Sequence, residues 1–246
     1  MLVKTKPNQL TFVDGRFYHD EDGNYYPSAT TLLEAYPKSY QLLQWMKEMG
    51  SKADEVRDNA GRRGSNVHQL TEDYDQGIEC TLLDLNGKPK YSLEEWNMFE
   101  RYVDFSTTYT PEHSLIEQTF VSPNLGFAGT MDRVCKIEGK VYLLDIKTSN
   151  SLHNSYYLQL AAYRELYNDL MPSTAPAIEG VCILWLNAKT RTTGKNGAIQ
   201  GKGWQLVTKD DTSKDWELFQ AVQKLWHAEH EDDKPREFSY QLSYKK

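Results

Sequence analysis

An acid and a base, Asp145 and Lys147, stand two residues apart at the end of the apolar run 141–144. Because side chains alternate along a strand, both are expected to point from the same face at the strand's end. By spacing alone, a strand-end salt bridge at the surface is the simpler interpretation. The same spacing also occurs at 138–140 and 232–234, but only at 145–147 does it end a buried strand.

A second carboxylate, Asp132, lies within the preceding run 128–137, among small and apolar residues that suit burial better than a charge. Antiparallel pairing across the turn at 138–139 predicts that Asp132 lies beside Asp145. Two carboxylates so close repel each other, and a hard divalent cation with oxygen ligands removes that repulsion. The sequence therefore predicts a Mg²⁺ site. Glu117, one strand earlier, would add a third oxygen ligand or hold a second metal through water; equally, it would pair with a basic residue across the strands.

Three side chains outside these strands are further candidates for the same site. His68 falls on a predicted helix, where a lone histidine is either a metal ligand or, more commonly, a packing residue. Gln159 and Tyr163 stand four apart on the helix after Asp145, hence on one helix face. Their amide and hydroxyl could hold a phosphate or a base near the metal. An ordinary contact between helix and sheet explains their spacing as well.

The elements that must position these residues are mainly helical in the first half of the chain and mainly extended in the second. An aromatic β-hairpin comes first, and a break at 61–64 is expected to separate a polar helix from a helix capped by Ser65. Predicted helices lie at 29–36, 39–50, 52–60, from the capping box at Ser92, at 156–170 and at 212–229; predicted strands lie at 115–121, 128–137, 141–146, 178–186 and 204–207. We expect one α/β domain over 1–246, with a helical N-terminal elaboration over 1–110 that includes the His68 helix and a sheet core over 111–246.

Composition excludes several classes of protein. No apolar run approaches the roughly 18 residues of a membrane span, and residues 1–10 lack the apolar segment of a secretory signal. Cys80, Cys135 and Cys182 fit neither a disulfide framework nor an iron–sulfur cluster. A reducing cytoplasm, bacterial or that of a phage host, is the expected location.

Charge is segregated along the chain. The net charge of −7 argues against a protein coated by nucleic acid, yet the segment 187–209 carries basic residues and no acid, and a cation bound between carboxylates makes an anionic cleft acceptable to phosphate. Lys189 and Arg191 in that segment are predicted to contact substrate phosphates. So are three arginines of the first half: Arg57, Arg62 and Arg63.

Taken in order, the candidate residues resemble the motifs of the PD-(D/E)XK nuclease superfamily, carried by His68, Glu117, Asp132, the run 145–147 and the run 159–163. Within it they are similar to the RecB-like exonucleases, which include phage exonucleases and the mitochondrial genome maintenance exonuclease. Three further stretches, 26–32, 61–68 and 125–132, are similar to that subgroup. The resemblance implies a restriction-endonuclease-like αβββαβ core with a mixed central sheet.

The resemblance also implies roles for the candidate residues. His68, Asp132, Asp145 and the backbone carbonyl of Ile146 would bind Mg²⁺ or Mn²⁺. Lys147 would orient or activate the attacking water, Gln159 and Tyr163 would shape the site, and Ser28 and Thr30 of the stretch 26–32 would contact substrate. The cysteine set of the iron–sulfur relatives is missing, so no such cluster is expected.

The function expected from these features is that of a metal-dependent DNA exonuclease that prefers single strands with a free end. Two alternatives stay open: a structure- or sequence-specific endonuclease of the same superfamily, and a non-catalytic nucleic-acid-binding protein that keeps the fold. The intact set of Asp132, Asp145 and Lys147 argues against the second. DNA repair or recombination is the expected setting, with replication or recombination proteins as further partners and no membrane.

Overall fold

A computed structural model describes residues 15–20, 22–188 and 203–230, together with the backbone of 9–12, 192–193 and 199–200. The helices are α1 Ala29–Leu32, continued by a 3₁₀ turn Leu33–Ala35, α2 Tyr40–Met49, α3 Lys52–Asp75, α4 Leu93–Tyr109, α5 Asn154–Leu170 and α6 Ser213–Glu229. The strands are β1 Gln9–Phe12, β2 Gly15–His19, β3 Tyr25–Pro27, β4 Glu112–Ser122, β5 Phe127–Ile137, β6 Lys140–Lys147, β7 Gly180–Trp185, β8 Thr192–Thr193, β9 Ile199–Gln200 and β10 Gln205–Lys209.

The central sheet has five strands in the order β10-β7-β6-β5-β4. β4, β5 and β6 form an antiparallel meander, and β10 pairs antiparallel with β7. β6 and β7 run parallel, because α5 carries the chain across the sheet between them. The predicted α/β class, with an αβββαβ core and a mixed sheet, is confirmed.

Apolar side chains cover both faces of this sheet. Along β6, Leu143 packs into a cluster with α1, α5 and α6, while the next residue, Leu144, packs into a second cluster with α3 and α4. This alternation is what a strand buried on both sides requires. Each fully buried large apolar side chain contributes roughly 1.5–3 kcal/mol, so the two clusters fix the helices to the sheet.

Two helix starts that the sequence marks, at Ser39 and Ser92, are found in the structure. The Ser39 hydroxyl accepts from the Leu42 amide at the start of α2. At the start of α4, Ser92 accepts from the Glu95 amide and the Glu95 carboxylate accepts from the Ser92 amide, which completes the predicted capping box. Each such cap stabilises its helix by about 1 kcal/mol.

No helix in the described part of the chain is both long enough and apolar enough to cross a membrane.

The predicted break at 61–64 is wrong. α3 continues without interruption through both glycines for 24 residues. Ser65 is no cap: its hydroxyl donates to the Gly61 carbonyl 3.2 Å away, a bond from within a helix to the preceding turn. A glycine inside a helix costs about 1 kcal/mol relative to alanine, which the packing of Val67 and Leu70 offsets. One rigid helix therefore carries both the arginines and His68.

The predicted N-terminal hairpin is extended by a third strand. β1, β2 and β3 form a separate antiparallel sheet, in which Phe17 and Tyr18 are buried. A parallel bridge between Ser28 and Ala128 ties its end to β5, and the Thr31 hydroxyl accepts from the Arg16 amide and donates to the Arg16 carbonyl. The N-terminal arm is thus joined to the central sheet.

Candidate active site

Asp145 and Lys147 do point from the same face at the end of β6. Lys147 Nζ lies 2.6 Å from Asp145 Oδ2, although outside hydrogen-bond geometry, and donates to Gln159 Oε1 at 3.0 Å. Gln159 Nε2 in turn donates to the Tyr163 hydroxyl at 3.0 Å. The ammonium group also lies 4.6 Å from the centre of the Tyr156 ring. Helix α5 therefore holds the lysine in place.

Asp132 lies across from Asp145 on the neighbouring strand. The register pairs Arg133 with Leu144, and one further step sets the two carboxylates side by side. Asp132 Oδ2 accepts from the Ile146 amide at 2.7 Å, which fixes its orientation. Burial raises the pKa of Asp145, the Lys147 ammonium lowers it and the Asp132 carboxylate raises it again, which leaves it at about 6.

His68 reaches this pair from α3. Its Nδ1 atom lies 3.5 Å from Asp132 Oδ1 and 3.6 Å from Glu117 Oε1, and its Nε2 atom lies 3.0 Å from the Ile146 carbonyl oxygen. Burial lowers the pKa of His68, but the carboxylates of Asp132 and Glu117 more than reverse this effect and raise it to about 10. The site attracts positive charge strongly.

The donor set fits a divalent cation. One atom each of His68, Glu117 and Asp132 lies within 4.8 Å of the others, and Glu117 Oε1 is buried without a hydrogen-bond partner. Carboxylates and an imidazole are ligands that Mg²⁺, Mn²⁺ and related ions take. Asp145, predicted as a ligand, is not part of this group of three, and its Oδ2 atom lies 2.6 Å from Lys147 Nζ. The Ile146 carbonyl oxygen, also predicted as a ligand, lies next to this group because it contacts His68 Nε2.

A scan against models of known families matches residues 27–239 to the PD-(D/E)XK nuclease superfamily. The chain belongs to this superfamily. Members of this superfamily are metal-dependent nucleases that cut nucleic acids.

The other two comparisons add little to this assignment. No curated protein matches the chain. Among solved structures, one titled "Crystal structure of SSO0001" is similar at 14% identity with a TM-score of 0.28, over 52% of this chain and 56% of that chain. The chain thus spans about half the length of that structure.

The three arginines predicted to contact substrate all lie on helix α3. Arg57 and Arg62 are exposed on α3 and bond to neighbouring side chains of that helix. Arg63 crosses to α4, where its Nη1 atom lies 3.1 Å from Glu94 Oε1. Arg57 and Arg62 therefore lie on the surface with partners from their own helix, whereas the half-buried Arg63 is paired across to α4.

The remaining predicted substrate residues differ in accessibility. Ser28 is buried, and its hydroxyl serves as the N-cap of α1 by accepting from the Thr31 amide. Thr30 is exposed. Lys189 and Arg191 lie outside the described residues.

Sequence reasoning missed Arg133, whose side chain is fully buried directly behind the site. Its Nε atom donates to Asp75 Oδ2 at 2.6 Å, and its Nη1 atom donates to the Asp132 carbonyl at 2.7 Å and lies 3.5 Å from Glu117 Oε1. Its position in the sequence could have revealed it. Arg133 is a permanent cation that follows Asp132 in a strand rich in apolar residues, and a cation buried there needs an acid as its partner.

The Tyr163 ring packs directly against the backbone of Gly129. A Cβ atom at this position would lie 2.3 Å from Tyr163 Cε1, which is far inside van der Waals contact. We expect Gly129→Ala to displace the ring and the Gln159 amide bonded to it. DNA cleavage should fall at least tenfold, and the overpacked core should lose about 1–3 kcal/mol. Cleavage rates and chemical unfolding measure these two effects.

The matched control for that substitution is Gly61→Ala in α3, where an added Cβ meets nothing within 4 Å. This change should stabilise the helix by about 1 kcal/mol and leave cleavage unchanged. Equal activity of the two alanine variants would mean that the position of Tyr163 is irrelevant to the reaction.

Proposed function

We propose that the protein is a metal-dependent DNA exonuclease that shortens single strands from a free end. The observation that supports a preference for unpaired strands is helix α2, which buries none of its residues. Tyr40, Leu42, Leu43 and Met46 are all exposed there. Exposed aromatic and apolar side chains suit stacking on unpaired bases, whose faces are free, better than contact with a duplex.

The chemistry proposed is hydrolysis of a phosphodiester with Mg²⁺ or Mn²⁺ held by His68, Asp132, Asp145 and the Ile146 carbonyl, with Glu117 as a further oxygen donor. A divalent ion held by these residues would supply Lewis-acid chemistry, polarising a phosphoryl oxygen and lowering the pKa of a bound water. Lys147 orients the attacking water and its charge offsets the negative charge that develops on the phosphorus oxygens.

Gln159 and Tyr163 have a supporting part in this proposal. Gln159 Oε1 accepts from Lys147 Nζ, and its amide nitrogen donates to the Tyr163 hydroxyl. The pair keeps the ammonium aimed at the reaction centre, and the rigid helix α5 keeps the pair in place. Such preorganisation matters because a catalytic group out of place by about 1 Å can cost 10²-fold in rate.

Digestion of end-labelled DNA with Mg²⁺ or Mn²⁺ tests the requirement for a free end. Linear single-stranded DNA should be shortened from its end to small products, while a closed circle of the same sequence persists. A site covered by helices admits a thin flexible strand more readily than a duplex. Rapid nicking of the circle would instead assign a structure- or sequence-specific endonuclease. Faster digestion of blunt duplex than of single strands would contradict the proposed preference.

The same experiment separates the enzyme from a protein that only binds nucleic acid, because turnover that stops with EDTA and resumes with added Mg²⁺ requires the catalytic set. A cytoplasmic location, a phage origin, and replication or recombination proteins as partners in repair remain predictions from the sequence.

A further inference from the structure

We propose that Arg133, held by Asp75, is a positioning residue that sets the distance between α3 and β5 and thereby brings His68 and Asp132 to one metal ion. This inference rests on the proposed function, since it concerns the same site. Neither residue touches the reacting atoms. Their role is to act through the ligands of the metal.

The first support is the way in which Arg133 joins two elements. Its guanidinium is fully buried on β5, donates to the Asp132 carbonyl at 2.7 Å, and donates to Asp75 Oδ2 at 2.6 Å and Thr71 Oγ1 at 3.3 Å on α3. A planar guanidinium has a fixed fork of donors, so these bonds fix direction as well as distance. Arg133 therefore fixes how α3 lies against the strand that carries Asp132.

The second support is the helix face that Arg133 engages. Thr71 and Asp75 follow His68 by three and seven residues, and residues at this spacing share one face of a helix. The face of α3 that presents the imidazole to the carboxylates is thus the face that Arg133 holds. A shift of this face along or around the helix axis would move His68 from Asp132.

The third support is the backbone of Glu117. Its φ angle is +43°, in the left-handed region that a glutamate rarely adopts, between the paired residues Ile116 and Gln118 of β4. Backbone in this region persists only where the surroundings hold it, and such residues cluster at functional sites. Glu117 Oε1 lies 3.5 Å from Arg133 Nη1. The same guanidinium therefore lies beside the carboxylate of Glu117, which is one of the three possible metal ligands.

Asp75 is itself held from two further sides, which makes the anchor rigid. The Tyr102 hydroxyl donates to Asp75 Oδ2 at 2.5 Å, and His113 Nε2 lies 3.6 Å from Asp75 Oδ1. These contacts connect α4 and the start of β4 to the same carboxylate. The elements α3, α4, β4 and β5 thus all contribute to a buried ion pair that lies next to Asp132.

Mn²⁺ affinity measured by electron paramagnetic resonance of the free ion tests the proposal without requiring activity. Asp75→Asn and Arg133→Lys should each weaken Mn²⁺ binding about 10- to 100-fold, the effect typical of losing a group that orients a metal ligand. At saturating metal, kcat should fall while the KM for DNA stays within about twofold. Tyr102→Phe serves as a milder variant, because it removes only one hydrogen bond to Asp75 and keeps the buried ion pair, and it should weaken Mn²⁺ binding at least threefold.

The control is Phe219→Ala in α6, which opens a cavity in the other hydrophobic cluster. It should lower the melting temperature as much as Asp75→Asn does, yet leave Mn²⁺ affinity within twofold of wild type. Folded Arg133→Lys and Tyr102→Phe variants with wild-type Mn²⁺ affinity would overturn the positioning role. Wild-type protein that binds Mn²⁺ without cutting DNA would overturn the proposed function instead, and the comparison of Mn²⁺ affinities would still decide the role of Arg133.

Discussion

Lys147→Ala and Asp145→Asn should each lower metal-dependent cleavage by at least about 10²–10³-fold and leave the fold intact. In the proposed mechanism, removing the ammonium takes away the charge that faces the transition state, and removing the carboxylate takes away an oxygen donor for the metal. Burial raises the pKa of Asp145 and the Asp132 carboxylate raises it further, so a neutral asparagine removes the cost of a buried charge, while Lys147 keeps Gln159 as a partner. The melting temperature of Asp145→Asn without metal should therefore equal or exceed that of wild type.

The other end of β6 offers a matched control. Lys140 Nζ lies 2.6 Å from Asp210 Oδ1, the same separation as in the Lys147–Asp145 pair, but in an exposed setting. Lys140→Ala and Asp210→Asn should keep full activity on end-labelled single-stranded DNA. If either Lys147→Ala or Asp145→Asn cleaves within threefold of wild type, the assignment of this pair is wrong.

The largest effect on stability is expected at the buried pair of Asp75 and Arg133. Asp75→Leu or Arg133→Met alone leaves one charge buried without its partner, which should cost about 3–5 kcal/mol of unfolding free energy. The double variant removes both charges and should cost clearly less than the sum of the two. Chemical denaturation of the four proteins measures this coupling. Additive losses would show that the two charges do not depend on each other.

The strands and most of the site could be predicted because their signals are local. An apolar run that ends in an acid, a turn at 138–139 and the alternation of a strand suffice to set Asp132 beside Asp145. The family motifs supplied His68, whose helix alone gave no reason to prefer a metal ligand over a packing residue.

The missed features depend on contacts between distant parts of the chain. Asp75 closes an acidic stretch that resembles a solvated surface, yet its side chain is only 2% exposed because Arg133, 58 residues later, folds onto it. No spacing rule connects two residues so far apart. Likewise, the glycines of α3 predict a break when only local propensity is considered, and the break is absent because packing against α4 and the sheet outweighs it.

The site is assembled from residues far apart in the chain, and this has a thermodynamic consequence. His68 contacts the Ile146 carbonyl across 78 positions, so the unfolded chain does not hold these ligands together. An ion that binds only the native state adds stability by mass action, about 2.7 kcal/mol at a concentration 100 times its Kd. If the proposed metal binds there, its supply should affect how long the folded protein survives as well as how fast it works, and a chelator should make the chain easier to unfold and to degrade.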